Sequence, residues 1–397
     1  MSKELQPAVS TELLYPEDAV YMARTDLIQT RMLGYKTLNL DTVTSFFVGL
    51  LNGRCAIRHE AGAGREVFEI FERAGIRVEE ETWTYRSGEE AEDLADKMVA
   101  QGKRLFSPYP LRAGRLADSG QIVSPALHRA LNAKARLDTL VPPVYLPQRR
   151  ILTHEELASF EPTEPVFLKA GGDAATGWGY AVRPCPDKAA FDKARYWFIE
   201  HREDVPVVLL EEWIDISTCW CAGAAVLADK TICFGGAEQV FASTARQSGS
   251  MMDPEKGFPA EGHALVVTIG EAARRSGYRG LAGFDIGLSR DGRLFVFDLN
   301  FRINSSSTQL LFHASSVART GLPATCSFQS SVGGSFAALA ERLAAPLSDG
   351  SFVPVRMFNG EKHPLSKGTH IVTGFVHGRD RLNAINAAKD LHERLEG

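Results

Sequence analysis

The sequence has no long apolar run and no excess of basic residues. No stretch approaches the roughly 18 consecutive apolar residues of a membrane-spanning helix, and Met1 to Ser10 contain no apolar segment typical of a secretion signal. The formal net charge of −5 argues against broad nucleic-acid binding, which requires a basic surface. We therefore expect a cytoplasmic protein that binds neither a membrane nor a nucleic acid.

Cysteine is scarce, with six residues in 397, and this fits reduced thiols in a chain of this length. Cys219 and Cys221 lie two residues apart, but no second pair completes a zinc set. We predict core positions for both. No Gly-x-Ser-x-Gly motif is present to indicate a serine hydrolase. The composition, 44% hydrophobic and 23% charged, is that of a globular protein, and the length indicates two or three domains.

The most informative segment covers residues 283–302, where two runs of alternating apolar residues flank an Asp-Gly pair. This pattern is a strong signal for a β-hairpin. A two-residue turn at Asp291 and Gly292 places Asp285 directly opposite Asp298, with Cβ atoms about 5 Å apart. Like charges so close destabilise a hairpin unless a proton or a cation lies between them.

Asn300 and Arg302 project from the same face as the two aspartates, because side chains on a strand repeat every second residue. Two carboxylates and an amide carbonyl form an all-oxygen ligand set of the kind that Mg²⁺ or Mn²⁺ prefers. An ordinary solvated hairpin face is the alternative, but the polar continuation to Ser307 favours an anion site. The opposite face is predicted to pack in the core and carries Phe284, Ile286, Leu288, Phe295, Phe297 and Leu299.

A glycine-rich loop follows a predicted strand that ends at Lys169. Backbone N–H groups of such a loop can approach phosphate oxygens closely, and a lysine at its base adds a positive charge. The loop contains Gly171, Gly172, Gly177 and Gly179. It is not a P-loop, because no Gly-Lys-Ser/Thr ends it and no helical pattern follows.

The N-terminal third alternates strand-like and helix-like segments, which indicates a small α/β sheet. Residues 56–58 and 75–78 are predicted strands, and residues 66–74 have the apolar spacing of a helix. Gly62 and Gly64 resemble a dinucleotide-binding fingerprint but lack its third small residue, so a plain strand-to-helix turn is favoured.

A further apolar run, residues 207–215, ends in Glu211 and Glu212 followed by Trp213 and Ile214. This pattern indicates a buried strand that emerges at a site. A strand that runs into a solvated acidic turn fits the segment equally well.

The order of these parts resembles the ATP-grasp superfamily over roughly residues 130–310. The resemblance implies an α/β (α+β) architecture: an ATP-grasp fold preceded by a pre-ATP-grasp α/β domain. The predicted domains are 1–130, 131–346 (with subdomains of about 142–215 and 216–346) and a small C-terminal α+β unit, 347–397. This last unit is similar to the short C-terminal domain of peptide ligases of the pheganomycin type.

The resemblance also implies roles for the residues of the motifs, with ATP and Mg²⁺ (or Mn²⁺) as cofactors. Groups implied to bind the nucleotide are Lys134, Lys169, the loop from Gly171 to Gly179, and the hinge segment Glu211, Glu212, Trp213 and Ile214. Groups implied to bind the metal ions are Asp285, Asp298 and Asn300. Arg302 and Arg246 are implied to stabilise the transferred phosphoryl group and the oxyanion. An exposed helix lysine is the alternative for Lys134, and a solvated loop arginine is the alternative for Arg246.

Two positions depart from the family pattern. The central metal ligand of the family is most often Glu, and here it is Asp298, which is shorter by one methylene. The acidic residue that commonly contacts the ribose is replaced by Ile216, Ser217 and Thr218, so that this contact is left to Asp215.

The resemblance implies an ADP-forming ligase that activates a carboxylate as an acyl phosphate and joins it to an amine. An amide between two small amino-acid-like substrates is our first prediction. Transfer of the carboxyl group to a carrier-protein thiol is the runner-up, and a carboxylase or a non-catalytic nucleotide-binding protein is a further alternative. The sequence leaves the identity of both substrates and the presence of a homodimer open.

Overall fold

The computed structural model describes residues 4–24, 37–109, 111, 115–172, 181–243 and 246–396. The first part of the chain forms a four-stranded parallel sheet in the order β3-β2-β1-β4. Its strands are β1 (Ala19–Met22), β2 (Cys55–His59), β3 (Glu81–Tyr85) and β4 (Arg104–Phe106). Its helices are α1 (Thr37–Thr42), α2 (Arg65–Arg73) and α3 (Gly88–Ala100).

The predicted helix at 66–74 and the predicted strand at 56–58 are present as α2 and β2, but the predicted strand at 75–78 is wrong. The chain leaves α2 through Gly75, which has φ of +81°, and runs without regular structure until β3 begins at Glu81. Ile76 is buried in the core from this connection. Its apolar character therefore reflects packing of a loop residue and not strand formation.

The middle of the chain forms a four-stranded antiparallel sheet in the order β5-β8-β6-β7. Its strands are β5 (Arg149–Leu152), β6 (Val166–Ala170), β7 (Val182–Cys185) and β8 (Val208–Glu212). The helices α4 (Pro125–Asn132), α5 (His154–Ser159) and α6 (Lys188–Glu200) accompany it, and a 3₁₀ helix covers Lys134–Thr139. Since β6 and β8 are antiparallel neighbours, Phe167 lies opposite Glu211 and Lys169 lies opposite Leu209. Lys169 and Glu211 are therefore diagonal neighbours on one face of the sheet.

The third sheet has eight antiparallel strands in the order β13-β12-β9-β10-β11-β14-β16-β15. Its strands are β9 (Ile216–Val226), β10 (Thr231–Ser243), β11 (Arg246–Met252), β12 (Gly280–Ser289), β13 (Leu294–Asn300), β14 (Ala324–Val332), β15 (Phe352–Phe358) and β16 (His370–Gly378). Its helices are α7 (Ala260–Arg275), α8 (Ser307–Thr320), α9 (Phe336–Asp349) and α10 (Arg381–Glu396).

The strands after residue 347 continue this sheet and form no sheet of their own. β16 pairs with both β14 and β15, and β14 pairs with β11. One hydrophobic cluster joins the N-terminal part to this region, with Phe71, Phe352 and Phe375 among its members. The predicted division into three domains stays a prediction. None of the described helices is long and apolar enough to cross a lipid bilayer.

From the buried imidazoles of His128 and His313 we predict that the folded protein is less stable in mild acid than at neutral pH. Burial lowers the pKa of His128 to about 3 and that of His313 to about 4, whereas an unfolded histidine has a pKa near 6.5. Because the folded pKa values are depressed, the stabilisation is present above pH 6.5 and is lost as the pH falls below it. These two imidazoles together should lower the free energy of unfolding by roughly 3 kcal/mol between pH 8 and pH 5.5.

Urea midpoints at the two pH values measure this drop. The variant His313→Gln should lose roughly 1.4 kcal/mol less stability over this range than the wild type, because it lacks the contribution of one imidazole. A matched control is His392→Gln, which changes an exposed imidazole and should leave the drop as it is. An equal loss of stability in the wild type and in His313→Gln between the two pH values would contradict the prediction.

Candidate functional site

The hairpin of β12 and β13 brings Asp285 opposite Asp298, as predicted, but its turn differs from the prediction. The loop contains three residues, not two, because the Ser289 N–H donates to the Arg293 carbonyl at 2.9 Å. Gly292 ends the loop with φ of +89°. A three-residue hairpin loop whose last position is left-handed is a common solution, and glycine adopts it without strain.

A β-bulge at Phe297 then compensates for the longer loop. The register shifts by one residue there, so that Asp285 pairs with Asp298 and the ring of Phe297 leaves the core face predicted for it. Phe297 lines a large cavity instead. A Cβ atom at Gly287 would lie 2.6 Å from the Phe297 ring, so the absence of a side chain at Gly287 leaves room for it. Bulges of this kind redirect side chains near active sites.

The two opposed carboxylates have different electrostatic environments. Burial, together with the charge of Asp298, raises the pKa of Asp285 to about 7. Burial acts in the same direction on Asp298, but the ammonium group of Lys134 and the guanidinium group of Arg302 outweigh it and lower its pKa. Lys134 forms an ion pair with Asp298, and the Gln239 amide donates to Asp285 Oδ1 at 2.8 Å.

Arg302 is held at the end of β13 by Asn132, the last residue of α4. Arg302 Nη1 donates to Asn132 Oδ1 at 2.8 Å, and the Phe301 N–H donates to the same oxygen at 2.9 Å. The guanidinium group lies 4.9 Å from the centre of the Tyr109 ring. Arg302 is therefore buried at a defined position next to the acidic pair, and none of the described carboxylates forms an ion pair with it.

Lys169 and Glu211 form a second buried ion pair at the same cavity. Glu211 Oε2 is buried, and no group in the described part of the chain donates a hydrogen bond to it. The Lys169 ammonium group also lies 5.3 Å from the centre of the Phe297 ring, within cation–π distance. One carboxylate oxygen at this end of the cavity is thus free to accept a hydrogen bond from a ligand.

The hinge segment after β8 adds an apolar wall. Trp213 stacks on Phe167, with ring centres 4.7 Å apart and planes at 18°, and Ile214 lies beside them on the cavity wall. Glu212 is not among the lining residues. Its Oε1 atom accepts a 2.7 Å hydrogen bond from the Gln148 N–H, so that it anchors the residue before β5.

The structure describes only part of the predicted glycine-rich loop. The Gly171 N–H donates to the Val207 carbonyl at 2.9 Å, and neither Gly171 nor Gly172 lines the cavity. Gly177 and Gly179 lie outside the described residues, as does the side chain of Arg246, whose backbone begins β11.

The cavity joins the hairpin, the hinge segment and the N-terminal sheet, and it has a volume of about 950 Å³. It brings together seven of the charged or amide-bearing residues predicted to form the site: Lys134, Lys169, Glu211, Asp285, Asp298, Asn300 and Arg302. Lys134 is buried, so the alternative of an exposed helix lysine is wrong. Residues of the wall that were not predicted include Gln239, Phe297, Asn304, Gln329 and Arg356.

Cys219 and Cys221 line this cavity beside Asp285. Burial raises the pKa of both thiols far above the usual range, and the charge of Asp285 acts in the same direction. The Asn304 amide donates to Cys221 Sγ at 3.0 Å. A thiol must ionise to act as a nucleophile, and this environment opposes ionisation of both cysteines, which form part of the cavity wall.

Asp215, the residue to which the ribose contact was left, is exposed at the rim of the cavity. It forms an ion pair with Arg290 at 2.9 Å, and both side chains are 70% exposed. The neighbouring Ile216, Ser217 and Thr218 also line the cavity.

A separate buried group of Asp41, His59 and His363 joins the N-terminal sheet to the segment after β15, and its ligand-type atoms lie within 4.8 Å of one another. His59 Nδ1 accepts the Ala61 N–H, and His363 Nδ1 accepts the Leu365 N–H, each at 3.1 Å. The neutral rings therefore carry their protons on Nε2. A histidine that ligates a metal through Nε2 needs the opposite arrangement, so this group is a hydrogen-bonded contact.

Two models of one protein family match the chain. One is described as "L-aspartate--L-methionine ligase N-terminal domain" and matches residues 10–129. The other is described as "L-aspartate--L-methionine ligase, ATP grasp" and matches residues 147–300. Together the two matches cover more than half of the chain.

Solved structures with a similar fold include three enzymes at low sequence identity. N5-carboxyaminoimidazole synthetase from Staphylococcus aureus, complexed with ADP, has a TM-score of 0.56 at 9% identity and covers 100% of both chains. N5-carboxyaminoimidazole synthase from Aspergillus clavatus, complexed with ADP, has a TM-score of 0.54 at 14% sequence identity. The match covers 87% of the present chain and 99% of the synthase. L-amino acid ligase from Bacillus licheniformis has a TM-score of 0.50 at 11% sequence identity. The match covers 95% of the present chain and 98% of the ligase. These likenesses confirm the predicted fold.

Proposed function

The chain belongs to the ATP-grasp superfamily, among ATP-dependent ligases that join a carboxylate to an amine, and from this premise we propose that its two substrates are L-aspartate and L-methionine. The two family matches confirm the predicted ligase activity on amino acids. Neither family model names a carrier protein, so the thioester alternative has no support.

One observation carries the assignment of the reacting centre: a single cavity holds two lysines, an arginine and a pair of opposed aspartates next to a stacked aromatic wall. Phosphoryl transfer requires positioning and neutralisation of charge more than covalent help from the protein. A cationic and acidic cluster beside a flat apolar surface provides both, because the base of a nucleotide can pack on the aromatic wall while its phosphates reach the charges.

We place the adenine against Trp213, Phe167 and Ile214. The free Glu211 Oε2 atom then accepts the hydrogen bond that the exocyclic amino group of adenine donates, which removes a buried unpaired acceptor. Lys169, held by the other oxygen of Glu211, contributes its charge toward the phosphates. The glycine-rich loop is proposed to close over those phosphates.

Asp285, Asp298 and Asn300 fit Mg²⁺ in the chemistry of their donors. All three offer oxygen ligands, and the ammonium group of Lys134 already balances the charge of Asp298, which supports a cation at this position. When bound, the metal ion would neutralise phosphate oxygens during transfer. Binding of the ion would release Lys134 to contact a phosphate.

Arg302 is proposed to steady the phosphoryl group as it moves from ATP to a substrate carboxylate. The carboxylate oxygen forms the new P–O bond and ADP leaves. The amine of the second amino acid then attacks the acyl carbon, phosphate departs with its oxygen, and the nitrogen loses a proton. The buried Arg302 guanidinium is preorganised for the oxyanion of that step, with Arg246 proposed as a second cation. We also propose a cytoplasmic location, and a homodimer stays a prediction.

Lys169→Ala is expected to raise the KM for ATP at least tenfold and to leave the KM for both amino acids within about twofold. The reason is that the variant removes a phosphate-directed charge and leaves Glu211 as a buried unpaired carboxylate. Steady-state ADP release measures the three constants. An exposed lysine in the same sheet region, Lys188, provides the control Lys188→Ala. An unchanged KM for ATP would contradict the assignment.

The proposed function is tested by ADP release with Mg²⁺, ATP and all pairs of amino acids, followed by mass spectrometry of the product. We expect the highest rate with L-aspartate and L-methionine and a dipeptide of their combined mass less one water. Fragmentation of that dipeptide shows which of the two supplies the carboxylate. ADP release with a different pair alone would replace the substrates, and no release with any pair would reject the function.

A further inference from the structure

Arg356 of β15 lies on the cavity wall far along the sheet from the hairpin. Its side chain is 9% exposed, and its Nε and Nη2 atoms donate to Thr373 Oγ1 at 3.3 and 3.1 Å. Its guanidinium group stacks 4.8 Å from the centre of the Phe46 ring. Within the described ranges, no carboxylate forms an ion pair with it. The cation is therefore buried against a hydroxyl group and a ring, with no counter-charge.

A buried charge without a partner is costly, and proteins normally pair it. Another arginine of this chain shows the usual solution: Arg58 is fully buried and bound to Glu80. Burial lowers the pKa of Arg356 to about 10 with no acidic neighbour to oppose the shift, so the group stays positively charged at neutral pH. A ligand anion in the cavity would supply the missing counter-charge.

The sheet register explains why this cation faces the cavity. Arg356 pairs with Thr373 across β15 and β16, and Thr373 pairs with Gln329 across β16 and β14. Residues directly paired across strands project from the same face, and both Arg356 and Gln329 line the cavity. The guanidinium group of Arg356 on β15 and the primary amide of Gln329 on β14 lie on either side of Thr373 of β16. Together they provide several N–H donors on one face of the sheet.

We propose that Arg356, with Gln329 beside it, binds the carboxylate of an amino-acid substrate that does not react. The planar guanidinium group matches a carboxylate through two parallel hydrogen bonds. This subsite rests on the proposed function and extends it: it selects substrates that retain a free carboxylate. That carboxylate comes either from the amino acid that supplies the amine or from the second carboxyl group of a dicarboxylic acid.

The test compares the wild type with Arg356→Gln, Arg356→Lys and the control Arg342→Gln. Arg342 lies on α9 and donates to the Leu395 carbonyl, so its variant removes a guanidinium group from the same part of the chain without changing the cavity. We expect Arg356→Gln to raise the KM for one amino acid roughly a hundredfold. The KM for ATP should stay unchanged, as should all constants of Arg342→Gln.

The affected substrate identifies the source of the carboxylate. A raised KM for L-methionine alone assigns the subsite to methionine, and a raised KM for L-aspartate alone assigns it to aspartate. Arg356→Lys keeps the charge but loses the paired hydrogen bonds, and we expect a rise of about tenfold for the same substrate. Unchanged constants for both amino acids in Arg356→Gln would overturn the proposal, while ADP release by the wild type would still support the ligase function.

A measurement on the wild type covers the case in which Arg356→Gln does not fold. Methioninamide lacks the free carboxylate of methionine, and the two monoamides of aspartate each lack one of its carboxyl groups. The subsite predicts that at least one monoamide or methioninamide is used with a KM roughly a hundredfold higher than its parent acid. The amide that lacks the reacting carboxyl group is excluded from this comparison, because it cannot be activated. If every other amide were used as well as its parent acid, the proposal would be overturned without any variant.

Discussion

Asp298→Asn is expected to lower the rate of ADP formation at least a thousandfold while the fold stays intact. The substitution preserves shape but removes one of the two opposed carboxylates, and with it the charge that would hold a metal ion against phosphate oxygens. Loss of such a metal-ion contribution costs several kcal/mol of transition-state stabilisation, roughly 4 kcal/mol or more. Asn300→Ala removes a neighbouring oxygen ligand of the same set and should have a similar effect.

Circular dichroism and the urea midpoint check the fold, and Mg²⁺-dependent ADP release checks the rate. The same hairpin offers a matched control, since Asp291 is exposed in the loop, where it pairs with Arg293 and accepts a hydrogen bond from Ser289. Asp291→Asn should retain full activity. Binding of Mn²⁺ by the ATP complex, followed by electron paramagnetic resonance, should weaken in Asp298→Asn and not in Asp291→Asn. Ordinary Mg²⁺-dependent turnover in Asp298→Asn or Asn300→Ala would remove the metal assignment.

The hairpin illustrates which parts of the site could be predicted from sequence. The alternation of apolar residues and the Asp-Gly pair are local signals, so both strands and the pairing of Asp285 with Asp298 were correctly predicted. The loop length and the bulge were not, because each shifts the register by one residue and the two shifts cancel at the aspartates. Phe295 and Phe297 were both assigned to the core face. Phe295 instead pairs with Gly287, on the face of Asp285, and Phe297 lies on the cavity wall.

Local sequence patterns could not show which residues from distant segments of the chain reach the site. Lys134 was identified through its position in a family pattern, whereas its burial and its ion pair with Asp298 depend on two segments that are far apart in the chain. Arg356 had no signal at all. Its access to the cavity follows from the pairing of β14, β16 and β15, a long-range register that no local period encodes.

The N-terminal part shows the same limit in a different form. The helix α2 was predicted because its apolar spacing is regular, but the segment after it was assigned to a strand on the strength of Ile76 and Val78. A connection whose apolar side chains pack in the core has the same short pattern as a strand. Only the tertiary contacts, with Ile76 in the shared hydrophobic cluster, distinguish the two.

Arg58→Met is expected to destabilise the protein by about 3–5 kcal/mol, the usual cost of breaking a buried ion pair by removing one partner. Arg58 is fully buried; its Nη2 atom donates to Glu80 Oε2 at 2.7 Å and its Nη1 atom to the Phe46 carbonyl at 2.7 Å. The variant leaves the Glu80 carboxylate buried without its cation. The surface control Arg65→Met, at a side chain that is 70% exposed, should leave the urea midpoint unchanged.

The double variant Arg58→Met/Glu80→Leu separates the lost pair from lost packing. Removing both charges together takes away the unpaired carboxylate, so the double variant should be more stable than Arg58→Met alone. A double variant less stable than Arg58→Met would mean that packing and the backbone contacts carry the effect.

The Phe46 carbonyl connects this pair to the cavity, because the ring of the same residue lies beside Arg356. Arg58→Met should therefore also raise the KM of the amino acid held by Arg356 and leave the KM for ATP unchanged.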